Sequence, residues 1–268
     1  MDFNLELEAR KNIVEIEKIK FEKHNCFYSN VGIEKQIVYK DKKAVLCENG
    51  LNQKQIIELV LRKNVDSVVQ NSLQPLTEKM KTLAEIDQDP NQFFNESFLF
   101  FPKNEGVHKI IFNSATSRQS IINLTFHRLG FDVESNRALQ FRSALEEMIM
   151  NTQIDAKTIS TSNVDKKSIL IIEKNEKLAA ISMIDFYGSL INSKFLAPIE
   201  SCLNIGVAES INQNRQRGAG IGGSIIFNAA DSIYLGCING VKTRVTAILP
   251  LNVSERIQEK LQKSIILI

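Results

Sequence analysis

The order of apolar and polar positions divides the chain into two textures. Up to about residue 110, short apolar runs stand among many Lys, Asn and Gln residues. AVLC (44–47) reads as a strand and DSVVQN (66–71) as another. Between them NQKQIIELVLRKN (52–64) reads as an amphipathic helix, because its apolar residues recur three and four positions apart. Pro75 opens a further helix, LTEKMKTLAEI, since proline fits a helix start but not its interior. DQDPNQ (87–92) is turn chemistry, and FLFFP (98–102) reads as a buried strand or plug. The alternation predicts a small α/β module over 1–110.

From residue 111 the pattern is more regular. IIFNSATSRQSIINLTFHRLG contains a helix that stops near Gly130, and RALQFRSALEEMIMNTQ (137–153) is a longer one with Ser135 or Asn136 placed to cap it. KSILIIEK and KLAAISMID read as strands joined by a short turn, hence a hairpin. A long polar stretch, broken by FLAPI, runs from 189 to 217 and reads as a lid. A glycine segment, a helix to about Ala230 and the strands SIYLGC and RVTAILP follow. This order predicts an α+β fold over 111–268, one helical layer on a mixed, largely antiparallel sheet. The tail SERIQEKLQKSIILI reads as an amphipathic helix that docks on the domain or on a second copy of the chain.

Composition narrows the function classes. A formal charge of +2 over 268 residues gives no electrostatic footprint for nucleic acid. No apolar run is long enough to span a membrane, and the acidic start MDFNLELEAR is unlike a signal peptide. Cys26, Cys47, Cys202 and Cys237 lie far apart with no CxxC, which favours reduced thiols and a cytoplasmic protein over disulfides or zinc.

Three stretches carry candidate chemistry. On the helix over 137–153, Phe141, Leu145 and Met148 form the apolar stripe, and Glu147 and Asn151, four apart, stand together at its edge. A carboxylate there can deprotonate a nucleophile, and an amide oxygen can ligate a hard cation such as Mg²⁺. Asp185 ends a strand in SMIDFYGSL, where it can form a pocket floor that accepts from an amino group. In RGAGIGGS, Gly218, Gly220 and Gly223 satisfy G-x-G-x-x-G, but the preceding SINQNRQR is no core strand and no acid closes the next strand. That excludes a Rossmann site. The Walker order of Gly, Lys and Thr is missing as well. What remains is backbone freedom and a helix N-terminus facing a phosphate.

Taken together, these pieces resemble the ATP-binding (Bergerat) domain of the GHKL superfamily of gyrase and the histidine kinases, over about 111–250. The nearest flavour is that of the bacterial anti-sigma-factor serine kinases. NSATSRQSIINLTFHRLGFD resembles their first helix, and SALEEMIMN has the Glu-x-x-x-Asn of their N-box. IDFYGS stands where their first glycine box falls, RGAGIGG matches the second, and KTRVTAILP resembles their closing strand. The resemblance implies Mg²⁺ on Asn151, a general base at Glu147 and an adenine reader at Asp185. It also implies nucleotide contacts from Gly188, Gly218, Gly220 and Gly222, and support from Thr243 for Asp185 or for its water. The implied protein binds ATP and phosphorylates a Ser or Thr of a small partner protein, such as a sigma-factor or anti-anti-sigma-like regulator; the alternative is a nucleotide-gated binding switch without catalysis.

The sequence also departs from that pattern. DFYGSL has Tyr187 and Ser189 where glycines are usual and is similar to the Asp-x-x-Gly-Ser-Leu box of a divergent branch. TQIDAK, after Asn151, lacks the usual basic position. His24, His108 and His127 lie outside any dimerisation-helix context, so none reads as a phosphoacceptor. VDSVVQNSLQPLTEKM resembles the end of a receiver domain, with Gln74 in place of its Lys and no acidic pair.

Overall fold

The computed structural model describes residues 26–29, 34–39, 42–47, 50–62, 65–101, 106–130, 136–160, 164–214, 221–258 and 260–268. The chain is α+β. Its described strands form one ten-stranded sheet in the order β1-β2-β3-β4-β10-β8-β9-β7-β6-β5. These are β1 (Cys26–Ser29), β2 (Glu34–Tyr39), β3 (Lys42–Cys47), β4 (Ser67–Gln70), β5 (Val107–Phe112), β6 (Ser168–Lys174), β7 (Leu178–Asp185), β8 (Ser232–Ile238), β9 (Lys242–Pro250) and β10 (Ser264–Leu267). Only β3 with β4 and β8 with β10 pair in parallel; the other pairings are antiparallel.

The expected hairpin forms. β6 and β7 pair antiparallel, and Asn175 closes their turn by accepting from the N–H groups of Lys177 and Leu178 at 2.9 and 2.8 Å. Every residue of β7 is buried, which requires cover on both faces of the sheet. Side chains alternate across a strand, so Ala179, Ile181 and Met183 enter one core while Leu178 and Ala180 enter another.

The first core lies under the helices α1 (Gln53–Arg62), α4 (Arg118–Leu129), α5 (Asn136–Met150), α7 (Asn192–Ile205) and α9 (Gly222–Ala229). Ser117 caps the start of α4, and Gly130, in the left-handed region at φ 69°, closes its end. The second core lies under α2 (Leu76–Gln88), the one-turn α3 (Pro90–Phe93) and the phenylalanines that follow. Asp89 caps α3 by accepting from Asn91 N–H, so part of the expected turn is helical. FLFFP forms no strand over its described residues; Phe98, Phe100 and Phe101 are buried as a plug.

Arg244 of β9 anchors that plug. Its guanidinium donates to the carbonyls of Phe93, Asn95 and Phe98 at 2.7, 2.9 and 3.1 Å, and it lies over the rings of Phe93, Phe98 and Phe100. The Glu173 carboxylate accepts from Phe100 and Phe101 N–H beside it. Elements from before and after residue 110 therefore share one sheet and both cores.

Two expectations fail. The tail is not an amphipathic helix: among its described residues only one turn, α10 (Glu255–Gln258), is helical, and SIIL is the strand β10. β10 runs between β4 and β8 with Ile265 and Ile266 wholly buried, so two open sheet edges outweigh the local helical pattern. Among its described residues the polar stretch after 189 holds two helices, α7 and then α8 (Val207–Asn214); Phe195, Leu196 and Ile199 of α7 are buried against the first core.

Candidate functional site

The site forms where α5, the end of β7, the start of β9 and the start of α9 meet. α5 holds its register by the stripe Phe141, Leu145 and Met148, all at most 2 % exposed. Glu147 and Asn151 consequently stand at the margin of that stripe, while Glu146 turns outward and pairs with Arg142 at 3.2 Å. After Met150 the helix widens into a π-helical turn, Asn151–Asp155, before α6 (Ala156–Ile159). Such turns insert one extra residue per turn and recur at functional sites. Here the turn leaves Glu147, Asn151 and Asp155 lining the same cavity.

That cavity has a volume of about 340 Å³. Asp185 and Thr243 form its floor as directly opposed residues of β7 and β9. Met148, Met183, Phe195, Ile226 and Val245 give it apolar walls, and Gly222 and Lys194 also line it. Of the residues expected to act together, Glu147, Asn151, Asp185, Gly222 and Thr243 are gathered here. Gly218 and Gly220 lie outside the described residues. Gly188 is not among the cavity's lining residues: at φ 60° it makes the turn after Asp185, and a Cβ on it would overlap Ile238 O and Val241 N. Its role in the structure is to let that turn pack on the β8–β9 hairpin.

Asp185 is held from several sides. Its Oδ1 accepts from Tyr187 and Gly188 N–H at 2.9 and 3.2 Å, so the turn fixes the carboxylate. The Thr243 hydroxyl lies beside it and reaches the Cys237 sulfur at 3.9 Å. Lys166 clamps the same turn: its Nζ donates to Phe186 O at 2.6 Å and its backbone N–H donates to the Tyr187 hydroxyl. Burial raises the Asp185 carboxyl above the ordinary range, and the two N–H groups, Thr243 and the Lys166 charge oppose that shift.

Glu147 is raised as well, first by burial and then by the charges of Asp155 and Glu146. Its Oε2 lies against the Cα of Gly222, so that a Cβ there would overlap the carboxylate. The next glycine serves a different contact. A Cβ on Gly223 would overlap the backbone oxygen of Phe195, so α9 can approach α7 only without a side chain. In neither described glycine is φ positive; both are needed for close approach rather than for a left-handed turn.

The sequence reading missed three residues. Asp155 continues the i, i+4 spacing of Glu147 and Asn151, a signal present in the sequence. Lys194 stands in a stretch read as a lid, and Lys166 in a loop, where no periodicity marks them. The arrangement can accept hydrogen bonds at its floor from an amino group, offer an amide oxygen to a cation from Asn151, and hold a carboxylate of raised basicity at Glu147. Among the described residues no cluster of three or more His, Cys, Asp or Glu is disposed to hold a metal by itself. No helix among them is long and apolar enough to cross a membrane. No family model and no curated protein sequence matches this chain.

Proposed function

We propose that this chain is a cytoplasmic, ATP-binding regulatory protein that transfers a phosphoryl group to a Ser or Thr hydroxyl of a small partner protein, in the manner of the anti-sigma-factor serine kinases. The observation that carries the reading is the meeting of Glu147, Asn151, Asp185, Gly222 and Thr243 around one cavity, although up to 96 residues separate them in sequence. The donor set fits a purine nucleotide with its cation. Asp185 offers an oriented acceptor to an exocyclic amino group between apolar walls, and Asn151 offers an oxygen to Mg²⁺. When bound, Mg²⁺–ATP supplies the phosphoryl group and the charge compensation. Glu147 receives the proton of the attacking hydroxyl, and Gly222 keeps its carboxylate in place.

A second reading, a switch in which nucleotide only selects between two conformations, is favoured by Asp155. It puts a negative charge beside Glu147 at the end of the N-box segment, where a basic residue would assist transfer. Thermal unfolding with and without Mg²⁺–ATP tests the binding shared by both readings. At about 100 times Kd the nucleotide adds roughly 2.7 kcal/mol to the wild type; Asp185→Asn and Asn151→Ala should lose that gain. A wild type indifferent to millimolar Mg²⁺–ATP overturns both. Glu147→Gln should keep the gain and lose transfer, and undiminished transfer removes the base assignment.

A further inference from the structure

The opposite end of α9 faces a second, polar groove of about 560 Å³, between α5, α9, the start of α1 and the segment entering β10. We propose that this groove binds a small anion, a phosphate or carboxylate group. The case rests on which polar atoms there are already used. Lys263, 2 % exposed, donates from Nζ to the carbonyls of Asn228 and Ala230 at 3.0 and 2.7 Å. Of an ammonium's three N–H groups these carbonyls take two; the third meets no described oxygen, and Nζ lies 5.5 Å from the centroid of the Phe227 ring. Arg137, 8 % exposed, donates to Pro250 O at 2.7 Å and Ala229 O at 3.2 Å.

The remaining Arg137 bonds orient two carboxamides. Nη1 donates to Gln140 Oε1 at 3.0 Å and to Gln258 Oε1 at 2.6 Å. Gln258 then spends its Nε2 on Asn228 O and Ala229 O. Gln140 has its acceptor end against the guanidinium, which leaves its NH₂ as the end for a ligand. The last carbonyls of α9 are thus covered, and the capacity left over at Lys263 and Gln140 is donor capacity, which calls for an acceptor-rich ligand.

The charges agree. No described residue lining the groove is acidic, and no carboxylate among the described residues forms an ion pair with Arg137 or Lys263. The acid nearest to Lys263 in its electrostatics, Asp231, is taken by Lys79 at 3.1 Å. Burial draws Lys263 down to about 8, and the neighbouring Arg137 opposes its charge further. An anion on Lys263, which lines the groove while Arg137 stands behind Gln140 and Gln258, relieves both costs. The groove is independent of the nucleotide reading, since it lies at the other terminus of α9.

The test follows thermal unfolding of the full chain against inorganic phosphate, against succinate, and against chloride at matched ionic strength. A saturable rise in Tm of about 3–5 °C at ten times Kd is expected over chloride. A response to phosphate alone identifies a phosphoryl ligand, and a response to succinate alone a carboxylate one. Gln140→Glu places a carboxylate against Arg137 within the chain, so it should fold at least as stably as wild type and lose the response. Ser143→Glu, on the exposed rim, is the second variant and should weaken the anion at least tenfold. Asp185→Asn, in the other cavity, should respond as wild type does. No saturable response to either anion overturns the site, as does an equal response in both groove variants or one lost in Asp185→Asn.

Discussion

Gly222 and Gly223 are neighbours in one helix, yet replacing each with alanine should have opposite consequences. A Cβ at 222 would overlap Glu147 Oε2 and come within 3.2 Å of its Cδ. The obstacle is the far end of a flexible side chain, so the carboxylate swings aside by about 1 Å. Holding a side chain off its preferred rotamer costs about 0.5–1.5 kcal/mol. Alanine returns about 0.5–1 kcal/mol over glycine in a helix, so stability should change little. On the proposed transfer reaction the rate should fall, since a displacement near 1 Å of a reacting group costs about 100-fold. A Cβ at 223 would instead overlap a backbone oxygen of Phe195 and lie 3.4 Å from its carbon, with Ile199 Cγ1 at 3.6 Å. Backbone packed between two helices cannot rotate away, and overpacking of this kind costs about 1–3 kcal/mol.

Net of the same alanine gain, Gly223→Ala should therefore lower Tm by about 2–6 °C, while Gly222→Ala stays within about 2 °C of wild type and, on the proposed reaction, loses about 100-fold in phosphoryl transfer. Differential scanning fluorimetry and a phosphoryl-transfer assay read the two effects separately. Wild-type turnover in Gly222→Ala would show that Glu147 does not act where it is held. A Gly223→Ala protein as stable as wild type would refute the close α7–α9 contact, whatever the function.

Two further outcomes follow from buried charge. Burial raises the Glu173 carboxyl to about 7 from 4.5, against the opposing pull of Phe101 and Phe100 N–H and of Arg244. A raised folded value means that the stability it confers is complete below about pH 4.5 and is lost as pH climbs through 7; up to about 3 kcal/mol is at stake. Urea unfolding at pH 5 and pH 7.5 should show that loss in wild type and a smaller one in Glu173→Gln; identical pH slopes in the two proteins would contradict it. Lys79 and Asp231 pair at 3.1 Å with both side chains at 0 % exposure. Lys79→Met strands the carboxylate and should cost about 3–5 kcal/mol in urea unfolding, whereas Lys79→Met with Asp231→Asn should recover most of it. A double variant no better than the single one would sink that account.

Much of the fold was legible because its signals are local. The spacing of Phe141, Leu145 and Met148 sets one face of α5, and that alone puts Glu147 and Asn151 at its edge. The apolar runs SILII and LAAISMI, with a turn residue at Asn175 between them, suffice for the β6–β7 hairpin. Only the tertiary structure decided what each pattern packs against. SIILI is apolar and β-branched enough for a strand and amphipathic enough, with what precedes it, for a helix; the neighbouring edges of β4 and β8 chose the strand. The glycines of α9 look the same in sequence whether they free the backbone for phosphate or admit a neighbour. It is the carboxylate over Gly222 and the carbonyl over Gly223 that separate those uses. Periodicity records which side of an element avoids water, because burial acts on each residue in turn. The partner on that side belongs to another part of the chain, and its identity is fixed only when the layers close.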